Sequence, residues 1–282
     1  MSVLGPAAPP VPLAANDWPA DVTPPPDNLP YDDGVPLESN WHRDAMNLLI
    51  ELIHYLFTGR TDFFAGGNMF IYFSAHQARN SDFRGPDVFF VKDVDGTRDR
   101  LSWVIWNEGG QFPHLIIELT SRTTTLTDHT TKKDIYERIF RTPEYFIYDP
   151  GTEQLEGWRL DEHQHYHAIA ADAQGRMWSE QLNVWLGTWR GPWRAPFEHV
   201  WLRFYDTEGK LVPLFAEAER QAAQAERQTA QKEKDRANKA EDQAKLEKGR
   251  ADKLEIEMAR LRSLLVEQEQ SLPPRDAPSA TT

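Results

Sequence analysis

Apolar side chains follow two different spacings along the first two thirds of the chain. Over residues 41–57 and 128–140 they recur every three or four positions, which is the spacing of one face of an α-helix. Short continuous apolar runs at 88–91, 114–119 and 144–148 are typical of strands inside a covered sheet. The order helix, strand, strand, helix, strand predicts an α/β fold in which helices pack on a central sheet.

The pattern changes on both sides of this region. Ten of the 20 prolines lie before residue 37, so we expect residues 1–37 to form a disordered, proline-rich arm. Residues 154–211 are short β-like segments, rich in tryptophan and broken by glycine and proline, which predict a β-rich extension. The expected organisation is one domain over residues 38–212, followed by a helix and a disordered tail at 271–282.

A seven-residue repeat of apolar residues predicts this C-terminal helix and forms a first seam along it. A second apolar seam, at Leu254 and Leu261, lies along its last turns. Together the seams predict a coiled-coil helix over residues 213–270 that joins two copies of the chain. A single solvated helix is the alternative, because alanine fills most of the first seam and buries little surface. The first seam consists of Ala216, Ala223, Ala230, Ala237, Ala244, Ala251, Met258 and Leu265.

The cysteine content and the net charge of the chain limit the kinds of site and substrate that it can have. The chain has no cysteine, so thiolate ligands and disulfides are excluded, and with no secretory or membrane-spanning pattern the expected compartment is the cytoplasm. The net charge is −13, of which residues 213–282 carry only −1. A domain this acidic does not attract a polyanion by its overall field. A nucleic-acid substrate therefore needs a local basic site, bound cations or a partner protein.

Two carboxylates interrupt the predicted strands. Asp87 stands directly before the run 88–91, and Glu118 lies inside the run 114–119. If these strands are neighbours, the two carboxylates face each other and repel by about 4 kcal/mol at the effective dielectric of a protein site. A proton or a hard divalent cation would compensate this repulsion. Because the available ligands are carboxylate and carbonyl oxygens, Mg²⁺ or Mn²⁺ fits better than zinc.

The second predicted helix supplies a positive charge. Asp128, Lys132 and Tyr136 are spaced by four residues and therefore share one helix face, on which we also expect Ile135 and Ile139. Lys132 thus points toward the sheet. An ammonium beside two carboxylates and a bound cation is suited to phosphodiester hydrolysis, because it stabilises the negative charge that develops on the phosphate.

These motifs, in this order, resemble the Uma-two family of restriction-endonuclease-like proteins, which belongs to the PD-(D/E)XK nuclease superfamily. The resemblance covers residues 40–212, and the last of its motifs is the segment 143–150. It implies a restriction-endonuclease-like central mixed sheet flanked by helices. It also implies catalytic roles for Asp87, Glu118 and Lys132, with Asp87, Glu118 and the Leu119 carbonyl as metal ligands. The superfamily's usual lysine position is Thr120, and the family's lysine on the following helix corresponds to Lys132.

Several alternatives stay open. Glu51 on the first helix is either a further carboxylate of the site or a solvated residue. The histidines at 163, 165 and 167 alternate along one segment, which we interpret as an exposed strand and not as a metal site. For the whole chain, the main hypothesis is a metal-dependent endonuclease acting on DNA. The alternative is a nuclease-fold scaffold that acts through its acidic surface and coiled coil.

Overall fold

The computed structural model describes residues 29, 39–74, 85–120, 127–193 and 198–270. It divides into two compact units, with the boundary between Ala216 and Glu217. The predicted disordered tail, and the predicted arm except for residue 29, lie outside the described residues.

The first unit contains eleven strands and two helices among its described residues, and a third helix begins at its end. The strands are β1 (Phe63–Gly66), β2 (Ile71–Tyr72), β3 (Val88–Lys92), β4 (Trp103–Val104), β5 (Leu115–Leu119), β6 (Glu144–Asp149), β7 (Gln154–Leu160), β8 (Tyr166–Ala168), β9 (Met177–Ser179), β10 (Val184–Pro192) and β11 (Glu198–Tyr205). The helices are α1 (Asn40–Leu56), α2, whose successive parts are Asp128–Lys132, Lys133–Ile135 and Tyr136–Phe140, and α3 (Phe215–Gln270).

Six of the strands form a central mixed sheet in the order β1-β3-β5-β6-β7-β8. β5 and β6 are parallel and the other neighbours are antiparallel. The innermost strands β3, β5 and β6 are almost entirely buried, as their continuous apolar runs predict. The predicted α/β class, with a central mixed sheet, is confirmed.

Each face of the sheet is covered by a different layer. Leu115, Ile117 and Leu119 of β5 pack with α1 and with a separate antiparallel sheet of β9, β10 and β11. Ile116, on the opposite face, packs with α2 and with β4. Because side chains alternate along a strand, Glu118 falls on the same face as Ile116, beneath α2.

The predicted β-rich extension is divided between two sheets. β7 and β8 lengthen the central sheet, while β9 to β11 form the second one. Trp103 and Val104 form β4, which pairs in parallel with β2, and a 3₁₀ turn follows at Ile105–Asn107.

α2 departs from a regular α-helix. Its first and last parts, Asp128–Lys132 and Tyr136–Phe140, are π-helical. The prediction that Ile139 faces the sheet is wrong, since this side chain is 46% exposed whereas Ile135 is buried. A π-helix rotates each residue by less than an α-helix does, so a residue three positions after Tyr136 turns farther from the core.

α3 runs for 56 residues and begins where the first unit ends. The predicted long C-terminal helix is confirmed. No helix of the described chain is long and apolar enough to cross a membrane.

Candidate active site

The register of β3 and β5 brings the two predicted carboxylates together. Val88 pairs with Ile117 and Phe89 with Ile116 in antiparallel register, so Asp87 lies opposite Glu118. Opposed residues of an antiparallel pair have neighbouring side chains. The Glu118 Oε2 atom accepts a hydrogen bond of 3.3 Å from the Asp87 backbone N–H.

α2 carries Lys132 to Glu118. The Lys132 Nζ atom lies 3.0 Å from Glu118 Oε2 and 2.9 Å from Asp128 Oδ1. The Tyr136 hydroxyl donates a 2.8 Å hydrogen bond to Glu118 Oε1. Four residues slightly exceed one α turn and fall slightly short of one π turn, so the mixed helix keeps these three side chains on one face. Asp128, Tyr136 and Glu118 are all fully or almost fully buried.

α1 holds Asp87 from the other side. The Ser39 hydroxyl caps α1 by accepting a hydrogen bond from the His42 N–H, which fixes the first turn of the helix. The His42 ring places Nε2 at 2.7 Å from Asp87 Oδ1. The other oxygen, Oδ2, accepts a 2.7 Å hydrogen bond from the Leu119 N–H. Asp87 is thus oriented by both strands and by α1, and its side chain is only 15% exposed.

Burial dominates the electrostatics of Glu118. It raises the pKa of this carboxyl to about 8, with Asp87 and Asp128 acting in the same direction, whereas the Lys132 ammonium and the Tyr136 hydroxyl act against it. The strand position is therefore costly for a free carboxylate, and a further positive charge beside Glu118 would favour its ionised form.

The pKa values of Asp87 and Lys132 both shift so that the charged form of each group is favoured. Burial alone would raise the pKa of Asp87, but the hydrogen bond and charge of His42, together with Lys132 and the Leu119 N–H, bring it below its usual range. Burial alone would also lower the pKa of Lys132, but Glu118, Asp128 and Asp87 outweigh it and raise that pKa. Asp87 is the anion of the site, and Lys132 is its permanent cation.

The donor set fits a hard divalent cation. Among the described residues, no group of three or more His, Cys, Asp or Glu side chains is arranged as a metal site. Mg²⁺ does not require such a group, because it retains several waters and is commonly bound by only one or two carboxylates. Asp87 and Glu118 provide two carboxylates at adjacent strand ends, and the pKa of Glu118 is raised first by burial and further by the charges of Asp87 and Asp128, all of which a bound cation would offset.

Three residues at the site were not assigned a catalytic role from sequence. His42 was missed, although its spacing of three, four and seven from Ala45, Met46 and Leu49 places it on the buried face of α1. Asp128 and Tyr136 lie on the predicted inner face of α2, where their four-residue spacing places them next to Lys132, but the contact of Tyr136 with Glu118 had no signal in the sequence.

The structure shows where Glu51 and the three histidines lie. Glu51 is nine residues from His42, about 14 Å farther along the axis of α1, and it is half-buried. The side chains of His163, His165 and His167 are 70–75% exposed, and each lies beside a different carboxylate. Of the three, only His167 is in β8.

The position at which the superfamily usually has its lysine is occupied here by the uncharged Thr120. Thr120 is buried, and its N–H bonds to the Tyr148 carbonyl at 2.9 Å. The Leu119 N–H donates to Asp87, and a role of the Leu119 carbonyl as a metal ligand stays a prediction.

Comparison with known proteins adds the family. Residues 16–189, more than half of the chain, match the family model Uma2, described as "Putative restriction endonuclease". The chain belongs to the Uma2 family. The Uma2 match includes Asp87, Glu118 and Lys132 and ends before α3.

No curated protein matches the chain. Among solved structures, a similar one is described as the "crystal structure of a putative nuclease belonging to DUF820" from Anabaena variabilis ATCC 29413. It is 14% identical, has a TM-score of 0.38, and the similarity covers 54% of this chain and 81% of that chain.

Proposed function

We propose that the chain is an endonuclease that hydrolyses phosphodiester bonds with the help of a divalent cation. The observation that carries this proposal is the convergence of three side chains that are distant in sequence. Asp87 and Glu118 face each other at the ends of adjacent strands, and the Lys132 ammonium lies 3.0 Å from Glu118. Membership of a family described as restriction endonucleases supports the same chemistry.

Asp87, Glu118 and the Leu119 carbonyl would hold the cation, which we propose to be Mg²⁺ or Mn²⁺. When bound, the cation would polarise the phosphate and lower the pKa of a water molecule. His42 and the Leu119 N–H hold the Asp87 carboxylate in a single orientation. The Tyr136 hydroxyl does the same for Glu118.

Lys132 acts in this mechanism as a positive charge. Because its pKa is raised by three carboxylates, it stays protonated and is a poor general base at neutral pH. Two carboxylates hold the Lys132 ammonium in place, and 21% of its side chain remains exposed. Its contribution is therefore to stabilise negative charge that develops on the phosphate oxygens.

DNA is the proposed substrate and the cytoplasm the proposed compartment. The overall charge of −13 disfavours long-range attraction of DNA, so binding must depend on the cations of the site and on short-range contacts. We also propose that the chain is a homodimer joined by α3, in which each copy contributes one site.

Plasmid cleavage tests this function. Wild-type protein in Mg²⁺ or Mn²⁺ should convert supercoiled plasmid to nicked and linear forms, and chelation of the cation should stop the reaction. Asp87→Ala should cut at least about a hundredfold more slowly, which corresponds to roughly 3 kcal/mol of transition-state stabilisation. Asp95→Ala is the matched control, because the Asp95 carboxylate lies at the surface and accepts its hydrogen bonds from Thr97, two residues along the chain. Equal cutting by wild type and Asp87→Ala would contradict the proposal.

The acidic charge favours one other function, a nuclease-fold scaffold that binds a partner protein. Under that hypothesis the three side chains are structural, and the plasmid stays intact with wild-type protein in both cations.

A further inference from the structure

The second half of α3 exposes a regular apolar row. Leu254, Met258, Leu261 and Leu265 are each 51–67% exposed, and their spacings of four, three and four place them on one face of the helix. Continuing this spacing backward defines a seam of eight residues. The seam consists of Ala240, Ala244, Glu247, Ala251, Leu254, Met258, Leu261 and Leu265.

Seven of the eight seam residues are apolar, and Glu247 is the exception. The first part of the seam is made of small alanines and the last part of large side chains. A lone helix gains nothing from such a stripe, whereas a second helix can bury it by inserting side chains between those of the first.

The charged residues beside the seam indicate which helix that is. In a parallel pair of helices, the residue directly before each of the seam positions 244, 251, 258 and 265 lies beside the residue five positions farther along the partner helix. When the partner is a second copy of α3 in the same register, two of the four contacts of this kind along the seam join opposite charges, Arg250 with Glu255 and Glu257 with Arg262. The other two, Gln243 with Lys248 and Leu264 with Glu269, each include an uncharged side chain. Beside Ala237, one seam spacing before Ala240, Arg236 and Glu241 add a further opposite pair.

Sliding one helix by a single heptad reverses this result. Because the two helices are identical, the shifted pair is the same whichever helix slides. On one side of it Arg236 meets Lys248 and Arg250 meets Arg262, and on the other side Arg250 meets Lys248 and Glu257 meets Glu255. Like charges in these positions destabilise a pairing. The sequence of α3 thus matches a copy of itself in register and opposes a shift by one heptad.

We propose that α3 pairs with α3 of a second copy of this chain, parallel and in register, along the seam from Ala240 to Leu265. This pairing specifies the homodimer of the proposed function and does not depend on hydrolysis. Glu241 already contacts Lys245 of its own helix at 2.7 Å, so the contacts of Arg250 and Glu257 carry most of the charge argument. The exposed side chains of Leu246, Ile256 and Val266 lie off the seam, and nothing in the structure explains them.

Single cysteines give a direct test, because the natural chain has none. Leu254→Cys places a thiol on the seam opposite its own copy, so mild oxidation of the full chain should yield a disulfide-linked dimer. Ile256→Cys is the matched control. It is equally exposed in the single helix but faces away from the seam, and it should cross-link at least about tenfold more slowly.

Three outcomes would overturn the proposal. Equal cross-linking of the two variants would mean that the seam is not the contact. Cross-linking only in a mixture of Ala251→Cys and Leu254→Cys chains would mean an antiparallel pair. A light-scattering mass of 32.5 kDa for the wild type would mean that no pair forms.

A charge exchange tests the register independently. Arg250→Glu replaces two attractive contacts per dimer by repulsive ones and should raise the dimer dissociation constant roughly fivefold to thirtyfold. Arg250→Glu combined with Glu255→Arg restores opposite charges and should return the dissociation constant to near that of the wild type. No recovery in the double variant would contradict the in-register pairing. Dimers without hydrolysis, or hydrolysis without dimers, would separate failure of the proposed function from failure of the pairing.

Discussion

Glu118 shows how one residue links the fold to the site. Its neighbours in β5 are apolar and fully buried, and the strand leaves its carboxyl no access to water. The carboxyl is compensated by contacts with Lys132, with Tyr136 and with the Asp87 N–H. Even so, burial raises the pKa of Glu118 to about 8.

This raised pKa makes a prediction for stability. The folded-state pKa of Glu118 is about 8 and its ordinary value is 4.5, so between these values the unfolded chain releases a proton that the folded chain retains. In the presence of chelator, wild-type protein should therefore lose stability relative to Glu118→Gln as the pH rises from about 5 to about 8. Urea denaturation of both proteins at the two pH values measures the difference.

The comparison with Glu118→Gln cancels other titrations. Burial lowers the pKa of His54 and of His114, which acts in the opposite direction, but both histidines are present in both proteins. A stability difference between the two proteins that is the same at both pH values would contradict a raised Glu118 pKa.

At the scale of elements, the strands and helices that build the site could be predicted and their details could not. The apolar runs of β3 and β5 predicted buried strands, and Asp87 and Glu118 at their adjoining ends predicted a carboxylate pair. The four-residue spacing of Asp128, Lys132 and Tyr136 predicted a shared helix face. These signals can be seen in a single sequence because a buried strand or helix face requires apolar residues at fixed spacings.

What the sequence could not give depends on contacts between distant segments. The π-helical turns of α2, which leave Ile139 exposed, follow from packing against the sheet and have no sequence signal. The contact of His42 with Asp87 joins residues 45 positions apart.

The connection from β3 to β5 contains a predicted stability determinant. The Arg100 guanidinium forms two hydrogen bonds of 2.9 Å with Glu108, and both side chains are almost fully buried. Glu108→Gln would leave a buried guanidinium without its counter-charge, so we expect a loss of about 3 kcal/mol or more in the free energy of unfolding.

Arg98→Gln is the control for this pair. Arg98 also approaches Glu108, but at 3.4 Å and with 43% of its side chain exposed, so its loss should cost less than about 1 kcal/mol. Chemical denaturation measures both variants. Equal effects of the two substitutions would show that burial of Arg100 does not set the energy of this connection.

At the scale of the whole molecule, the two units make separate predictions. Leu214 is buried in the core of the first unit, whereas the residues of the second unit from Glu217 onward are mainly exposed. A chain that ends at Leu214 should therefore keep the thermal midpoint of the first unit within a few degrees and should be monomeric. Calorimetry and light scattering test the two parts. A truncated chain that unfolds, or that keeps the mass of the full-length assembly, would contradict this division.

The account as a whole depends on a cation held by Asp87 and Glu118. The most direct measurement is titration with Mn²⁺ at about pH 8, with the free ion followed by electron paramagnetic resonance. The wild type should bind one Mn²⁺ per chain more tightly than the remaining acidic surface does. This site should disappear in Asp87→Asn combined with Glu118→Gln and persist in Asp95→Asn. An unchanged tight site in the double variant would contradict the central claim.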